Sequence, residues 1–469
     1  MAGKSARGAP RRLTAEDLAR QQREISVSEF FSKNRHLLGF DNPKRALLTT
    51  VKEAVDNSLD ACEEAGVLPE IHVEITPVDG REDRFRVKVE DNGPGIVRRQ
   101  VGRIFGKLLY GSKFHRLKMS RGQQGMGISA AGMYGQLTTG QPITIISKTR
   151  AQGKADYFEL VLDTKANEPR IIKQDLVDWN GHPGTSVQIE LEGYYQRDKW
   201  SPDEYLQQTA TANPHVSLTY KDPEGNLIRI QRATDALPRD PKEIKPHPHG
   251  IELGMLIQML RETKARNVRA FLRRDFSRVS ERNADEICQR AGIAENASPR
   301  RIASEEAENL LEAIRETKLR NPPLDCISPI GQEQILAGLK KNFQADLYQC
   351  VTRSPTVYRG IPFLVEAGVA YGGALAQDRP AKVLRFANRV PLLYQSGACV
   401  ITQSVASLNW RQYGLEQPAG SLPIAPLVIL VHVASAWVPF TSESKEAIAS
   451  YPAIEREVTL ALQECARRL

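Results

Sequence analysis

The chain has 469 residues, too many for one ordinary hydrophobic core, and a hydrophobic content of 41% fits a globular protein of roughly two to four domains. Lys and Arg number 64 against 56 acids, a net charge of +8 that favours a polyanionic partner without identifying it. Six cysteines at 62, 288, 326, 350, 399 and 465 form no CxxC pair, which argues against a disulfide framework or a zinc knuckle and fits a reducing cytoplasm.

In chain order, Lys4, Arg7, Arg11 and Arg12 stand without an acid in residues 1–12, which predicts a mobile arm; no apolar run there makes a secretory signal. Asn42 can cap a helix with Pro43 at its first position, Leu47, Val51, Ala54, Val55 and Leu59 give its apolar stripe, and Gly66 ends it. Residues 71–75, 85–89, 143–146 and 187–191 alternate as half-buried strands. Helix and strand intermix over the first ~240 residues, the pattern of an α/β sandwich. Pro238, Pro241, Pro246, His247, Pro248 and His249 make a stiff connector. Residues 250–318 then read as helices, at 253–260 and 305–317 among others, broken near Gly292 and Ser298-Pro299. After Asn321-Pro322-Pro323 strands return at 383–386 and 427–433, with helices at 332–339 and 444–449. The apolar stretch 422–440 contains Pro423, Pro426, His432 and Pro439 and reads as a buried strand, so no membrane association is expected.

Three blocks carry chemistry. Glu53 and Asn57, four apart on a helix, share one face. Asp91-Asn92-Gly93-Pro94-Gly95 follows a strand; alone it reads as a tight turn, because Asn-Gly suits positive φ. Tyr110-Gly111-Ser112-Lys113 and then Arg121-Gly122-Gln123-Gln124-Gly125-Met126-Gly127-Ile128 are glycine-rich and run into a helix start at Ser129-Ala130-Ala131, a place where backbone N–H groups can hold phosphates. No Walker A sequence is present, which argues against a P-loop enzyme.

Together these blocks resemble the GHKL, or Bergerat-fold, ATPases. The resemblance implies ATP and Mg²⁺ as cofactors, with Glu53 activating water, Asn57 as the Mg²⁺ ligand, Asp91 reading adenine and Gly95 beside the base. It makes Ser112, Lys113, Arg121, Gly122, Gln123, Gln124, Gly125, Met126, Gly127 and Ile128 a lid around the phosphates.

Within that superfamily the chain is most similar to the B subunits of type IIB topoisomerases. Ile25-Ser26-Val27-Ser28-Glu29-Phe30-Phe31 looks like their strap, and Val438-Pro439-Phe440-Thr441-Ser442-Glu443-Ser444-Lys445-Glu446 looks like their transducer loop, whose lysine, Lys445 here, reaches the γ-phosphate. The implied fold is α+β multidomain: a basic arm at 1–24, a strap and α/β-sandwich ATPase domain at 25–243, a helix-two-turns-helix domain at 244–321 and an α/β transducer at 322–469. The implied activity is ATP hydrolysis in a DNA topoisomerase, with homodimerisation on ATP, capture of double-stranded DNA, and a cleaving A subunit in a heterotetramer. A cytoplasmic, nucleoid-associated protein is expected. None of the 13 tyrosines sits in a recognisable acidic cluster, so cleavage chemistry is assigned to the A subunit. Only 24 residues follow Lys445, which leaves a short stalk or a fragment. Arg266, Arg269, Arg273 and Arg274 lie in a basic run that either meets DNA phosphates or forms a solvated helix face. Rival readings are a chaperone-type or mismatch-repair clamp ATPase, a histidine kinase, for which His36 lacks the setting, and a non-catalytic DNA clamp.

Overall fold

The computed structural model describes residues 14–20, 22, 24–113, 116–122, 125–179 and 181–469. The predicted arm at 1–12, Gln123 and Gln124 lie outside the described residues.

Helices α1 (Ala15–Ala19) and α2 (Val27–Lys33) come first. Ser26 caps α2, accepting from the Glu29 N–H at 3.1 Å, and Ser28 Oγ donates to the Thr164 carbonyl at 3.0 Å. Helix α3 (Pro43–Glu64) begins where expected, because the Asn42 side chain accepts the Arg45 N–H at 2.9 Å. Leu47, Val51, Val55 and Leu59 bury its inner stripe.

The first sheet is built from β1 (Glu70–Val78), β2 (Arg81–Asp91), β3 (Ile143–Lys148), β4 (Ala155–Asp163), β5 (Glu168–Val177), β6 (Gly184–Glu192), β7 (Ser217–Lys221) and β8 (Leu227–Ile230). Its order is β5-β4-β3-β6-β2-β1-β7-β8, antiparallel except for β1 with β7. Helices α3, α4 (Arg98–Gly106), α5 (Gly127–Thr139) and α6 (Pro202–Ala212) pack with it in one core, which includes Val73, Val89, Val187 and Ile145. Val89 stands beside Val73 on one side and Val187 on the other, a register that keeps the apolar face continuous.

Helices α7 (Leu253–Glu262), α8 (Val268–Asp275), α9 (Glu281–Ala291) and α10 (Ser304–Glu316) surround their own core of Leu256, Leu260, Phe271, Leu272, Ile287, Leu310 and Ile314. Asn267 and Ser280 cap α8 and α9, and Gly292 at φ 67° ends α9.

A second sheet contains β9 (Leu347–Thr352), β10 (Thr356–Tyr358), β11 (Ile361–Tyr371), β12 (Lys382–Ala387), β13 (Val390–Pro391) and β14 (Leu427–Ser435). The path runs β10-β11-β14-β12-β13, with β9 on β11. Every residue of β14 is buried. Leu430 and Val428 meet Ile335 and Leu339 of α11 (Gln332–Asn342), while Ile429, Val431 and Val433 meet α12 (Val400–Ser407) and α13 (Pro452–Ala466). Burial on both faces explains the unbroken apolar run in the sequence. The expected helix at 444–449 is a loop instead: Lys445 takes φ 54°, Phe440 bridges Ile448, and the Thr441 N–H donates to the Ala447 carbonyl at 2.9 Å. Among the described residues no helix is long and apolar enough to cross a membrane.

Candidate functional site

A cavity of about 580 Å³ opens between α3, the end of β2, the glycine-rich segments and the loop at 443–446. That volume suits a mononucleotide-sized ligand. Glu53, Asn57, Asp91, Gly95 and Lys445 all line it, as do Ser112, Lys113, Gly122, Gly125, Met126, Gly127 and Ile128.

Asp91 is buried at the end of β2 and holds three neutral donors. Its Oδ1 accepts the N–H groups of Gly93 (2.9 Å) and Thr185 (3.2 Å), and its Oδ2 accepts the Ser58 hydroxyl at 2.8 Å. Burial raises its carboxyl above the usual range, although these donors oppose the rise. Oδ2 keeps acceptor capacity for an exocyclic amine. The left-handed residue of the motif is Gly95 at φ 72°, not Asn92 or Gly93. A Cβ on Gly95 would stand 2.1 Å from the Lys148 carbonyl oxygen, so only glycine fits. Asn92 instead accepts from the Glu70 N–H and donates to the Leu68 carbonyl, fixing the start of β1.

Glu53 and Asn57 do share the cavity-facing side of α3. Gly127 opens α5 so close to Glu53 that an added Cβ would lie 1.7 Å from its Oε2. Lys52 Nζ lies 3.5 Å from the other carboxylate oxygen. Among the described residues the Asn57 side-chain amide has no protein hydrogen-bond partner, and Gly122 passes over it with a virtual Cβ 3.8 Å from its Oδ1. Also among these residues, no group of three or more His, Cys, Asp or Glu is placed to hold a metal. The donor set therefore fits a Mg²⁺ ion that takes the remaining ligands from water and phosphate.

Lys445 donates to the Arg121 carbonyl at 3.2 Å. Burial pushes its ammonium down, while Glu53 acts the other way. The loop is fastened to α3 by Arg45, which pairs with Glu446, donates to Ser444 Oγ at 3.2 Å and lies over the Tyr394 ring at 5.4 Å.

Arg121 departs from expectation. Its guanidinium is off the main cavity wall, buried against Asp60 (2.8 Å), Glu63 (2.7 Å) and Asn213 (2.5 Å). Lys113 lines the cavity but also pairs with Asp60 at 2.7 Å and Glu64 at 3.3 Å. Burial opposes the charge of Asp60, yet Lys113 and Arg121 hold its carboxyl below the usual range. One turn earlier on α3, burial lifts Asp56 to about 6, with Tyr205 donating to it at 2.7 Å.

Residues 42–166 match the family described as histidine kinase-, DNA gyrase B- and HSP90-like ATPases, and residues 322–469 match the topoisomerase VI B subunit transducer family. The chain is 51% identical to the B subunit of type 2 DNA topoisomerase 6 from Archaeoglobus fulgidus, over 96% of its own length and 74% of the relative's. For the corresponding protein of Methanococcoides burtonii the identity is 52%, over 97% and 73%. For that of Natronomonas pharaonis it is 36%, over 97% and 80%. The chain belongs to the topoisomerase 6 B-subunit family.

In this B-subunit family member the basic run at α8 is not a free patch. Arg269 pairs with Asp285, with Glu281 at 2.9 Å and with Glu295 at 3.6 Å. Arg273 faces Glu281 at 3.5 Å and Arg274 faces Asp275 at 4.0 Å. Ser58, Thr185, Lys52 and Asp60 also shape the site, and the three sequence blocks do not point to them. Ser58 follows Asn57 directly and is a findable neighbour; Thr185 reaches Asp91 only through the pairing of β6 with β2.

Proposed function

We propose that this chain is the nucleotide-driven gate of a type II DNA topoisomerase, in which ATP closes two copies around a duplex while a cleaving A subunit opens another. The observation that carries this is the convergence of Glu53, Asn57, Asp91 and Lys445, from three separate stretches of chain, on one cavity edged by glycine-rich backbone. Asp91 would take the adenine amine, and Gly95 gives the ring room to approach. The N-terminus of α5 and Gly122–Gly127 would receive phosphate oxygens. Lys445 would meet the terminal phosphate, trading a carbonyl contact for a charged one. Asn57 would hold Mg²⁺, which neutralises phosphate charge when bound. Glu53 would take the proton of the attacking water, a role worth about 10²–10⁴ in rate.

We further read 25–243 as the ATPase unit with its strap, 244–321 as the helix-two-turns-helix unit and 322–469 as the transducer. Arg266, Arg273 and Arg274 are the proposed duplex contacts, with Arg269 kept by its acids. The test is relaxation of supercoiled DNA by the chain together with its cleaving partner. Relaxation that requires ATP supports the reading, and relaxation indifferent to ATP would refute it.

A further inference from the structure

Asn388 and Arg389 form the two-residue link between β12 and β13, both left-handed at φ 48° and 68°. Such mirror-image turns favour Asn-Gly, because glycine enters the left-handed region without a Cβ penalty. Here an arginine occupies the glycine position, and its side chain is committed. Buried, it donates through Nη2 to the Ser328 hydroxyl (3.1 Å) and the Pro329 carbonyl (2.8 Å).

The hairpin tip touches β14 of the second sheet on one side and, on the other, the loop at Ser120 and the end of α6. Asn388 Nδ2 donates to the carbonyls of Ser120 (3.1 Å) and Ser435 (3.0 Å), and its Oδ1 accepts the Ser435 N–H at 3.0 Å. The Arg389 carbonyl accepts from Asn213 at 3.2 Å, and Asn213 accepts from Arg121. The Arg389 N–H donates to His432 Nε2 at 3.0 Å, so His432 presents its Nδ1 proton to Glu366 at 2.8 Å. Glu366, fully buried, also accepts the N–H groups of Ile330 (2.7 Å) and Gly331 (2.8 Å), just before α11.

Ser120 and Arg121 directly precede the cavity loop at 122–127. Their two carbonyls are gripped by different parts of the second sheet's domain: Arg121 by Lys445, Ser120 by Asn388. A cavity of about 40 Å³ lies at this joint, beside Arg121, Arg389, Asp60 and Glu63. We propose that the Asn388–Arg389 hairpin is a positioning element that relays the state of the nucleotide-facing loop to β14, β11 and the start of α11, separately from Lys445. The relay rests on the reading of the cavity as an ATP site.

The test is hydrogen exchange on the full chain, with and without a nonhydrolysable ATP analogue, in the native sequence and in Asn388→Gly and Arg389→Gly. Glycine suits the left-handed backbone, so both variants keep the turn. In the native chain the analogue should slow exchange in residues 120–127 and also in β12, β14 and residues 330–335. In Asn388→Gly the loop should respond within about twofold of native while the response in the second sheet falls about tenfold. Arg389→Gly, which keeps the backbone bonds to His432 and Asn213 and loses those to Ser328 and Pro329, should lose only the response of residues 330–335. A purely structural role predicts the reverse, faster sheet exchange without nucleotide and an undiminished response to it, and that result would overturn the relay. No slowing of 120–127 in the native chain would overturn the ATP reading, and the relay with it.

Discussion

Arg269 and Lys445 are both basic residues outside the first sheet, and their surroundings differ in kind. Arg269 lies among Asp285, Glu281 and Glu295, so its charge is answered locally. Lys445 makes no ion pair among the described residues; it rests on a carbonyl at the edge of a cavity, and burial lowers its pKa. The same contrast separates Asp60, which holds two cations, from Asp91, which holds three neutral donors. Charges balanced within the fold serve its structure; those left facing a cavity are available to a ligand.

The largest effect that would sharpen this contrast is expected for Glu53→Ala. ATP turnover should fall about 10²–10⁴-fold with nucleotide binding retained, measured by phosphate release and by equilibrium titration. Native-level turnover would remove Glu53 as the base.

Asp56→Asn probes burial without a ligand. With its folded pKa raised to about 6, the native acid favours folding while protonated and loses that contribution as pH rises through 6. The asparagine variant should match the native chain near pH 4 and exceed it by up to about 3 kcal/mol above pH 7. Melting curves at pH 5 and pH 8 would show the gain growing with pH.

For Asp91→Asn we expect ATP affinity to drop roughly 10–100-fold, since the amide cannot serve the amine as a charged acceptor does. Unchanged affinity in a calorimetric titration would end the adenine assignment. Lys445→Met should weaken ATP about tenfold while leaving ADP near native, read from paired dissociation constants. Equal losses for both nucleotides would break the contrast with Arg269. The smallest change is expected for Arg273→Ala with Arg274→Ala: the salt slope of duplex binding should flatten by less than about 2, because acids already face both residues.

Much of this was legible in the chain because it is local. Asn42, Pro43 and the stripe through Leu59 define α3, and a separation of four puts Glu53 and Asn57 on one face whatever the rest of the fold does. Asp91 was readable from its glycines, although the positive φ falls at Gly95. What the sequence hid depends on distant partners. Arg121 reads as a lid residue until Glu63 and Asn213 arrive from α3 and the end of α6. Strand β5 gives no sequence signal because it is an edge strand with nearly every side chain exposed, so it has no alternation to read. The segment 444–449 has helix-forming residues, but its tertiary anchors at Arg45 and Phe440 impose a left-handed turn at Lys445. Lys445 itself was legible only by family resemblance.

The six cysteines are all free, and five are buried, with Cys350 half-buried. Burial raises the thiols of Cys288 and Cys326 to about 11 and those of Cys350 and Cys465 to about 12. Alkylating reagents act on accessible thiolates, so the native fold should resist them and react only as it opens. The molecule thus carries its own chemical clock for unfolding, and a single cysteine introduced at exposed Ser112 would give a fast-labelling handle on the rim of the cavity.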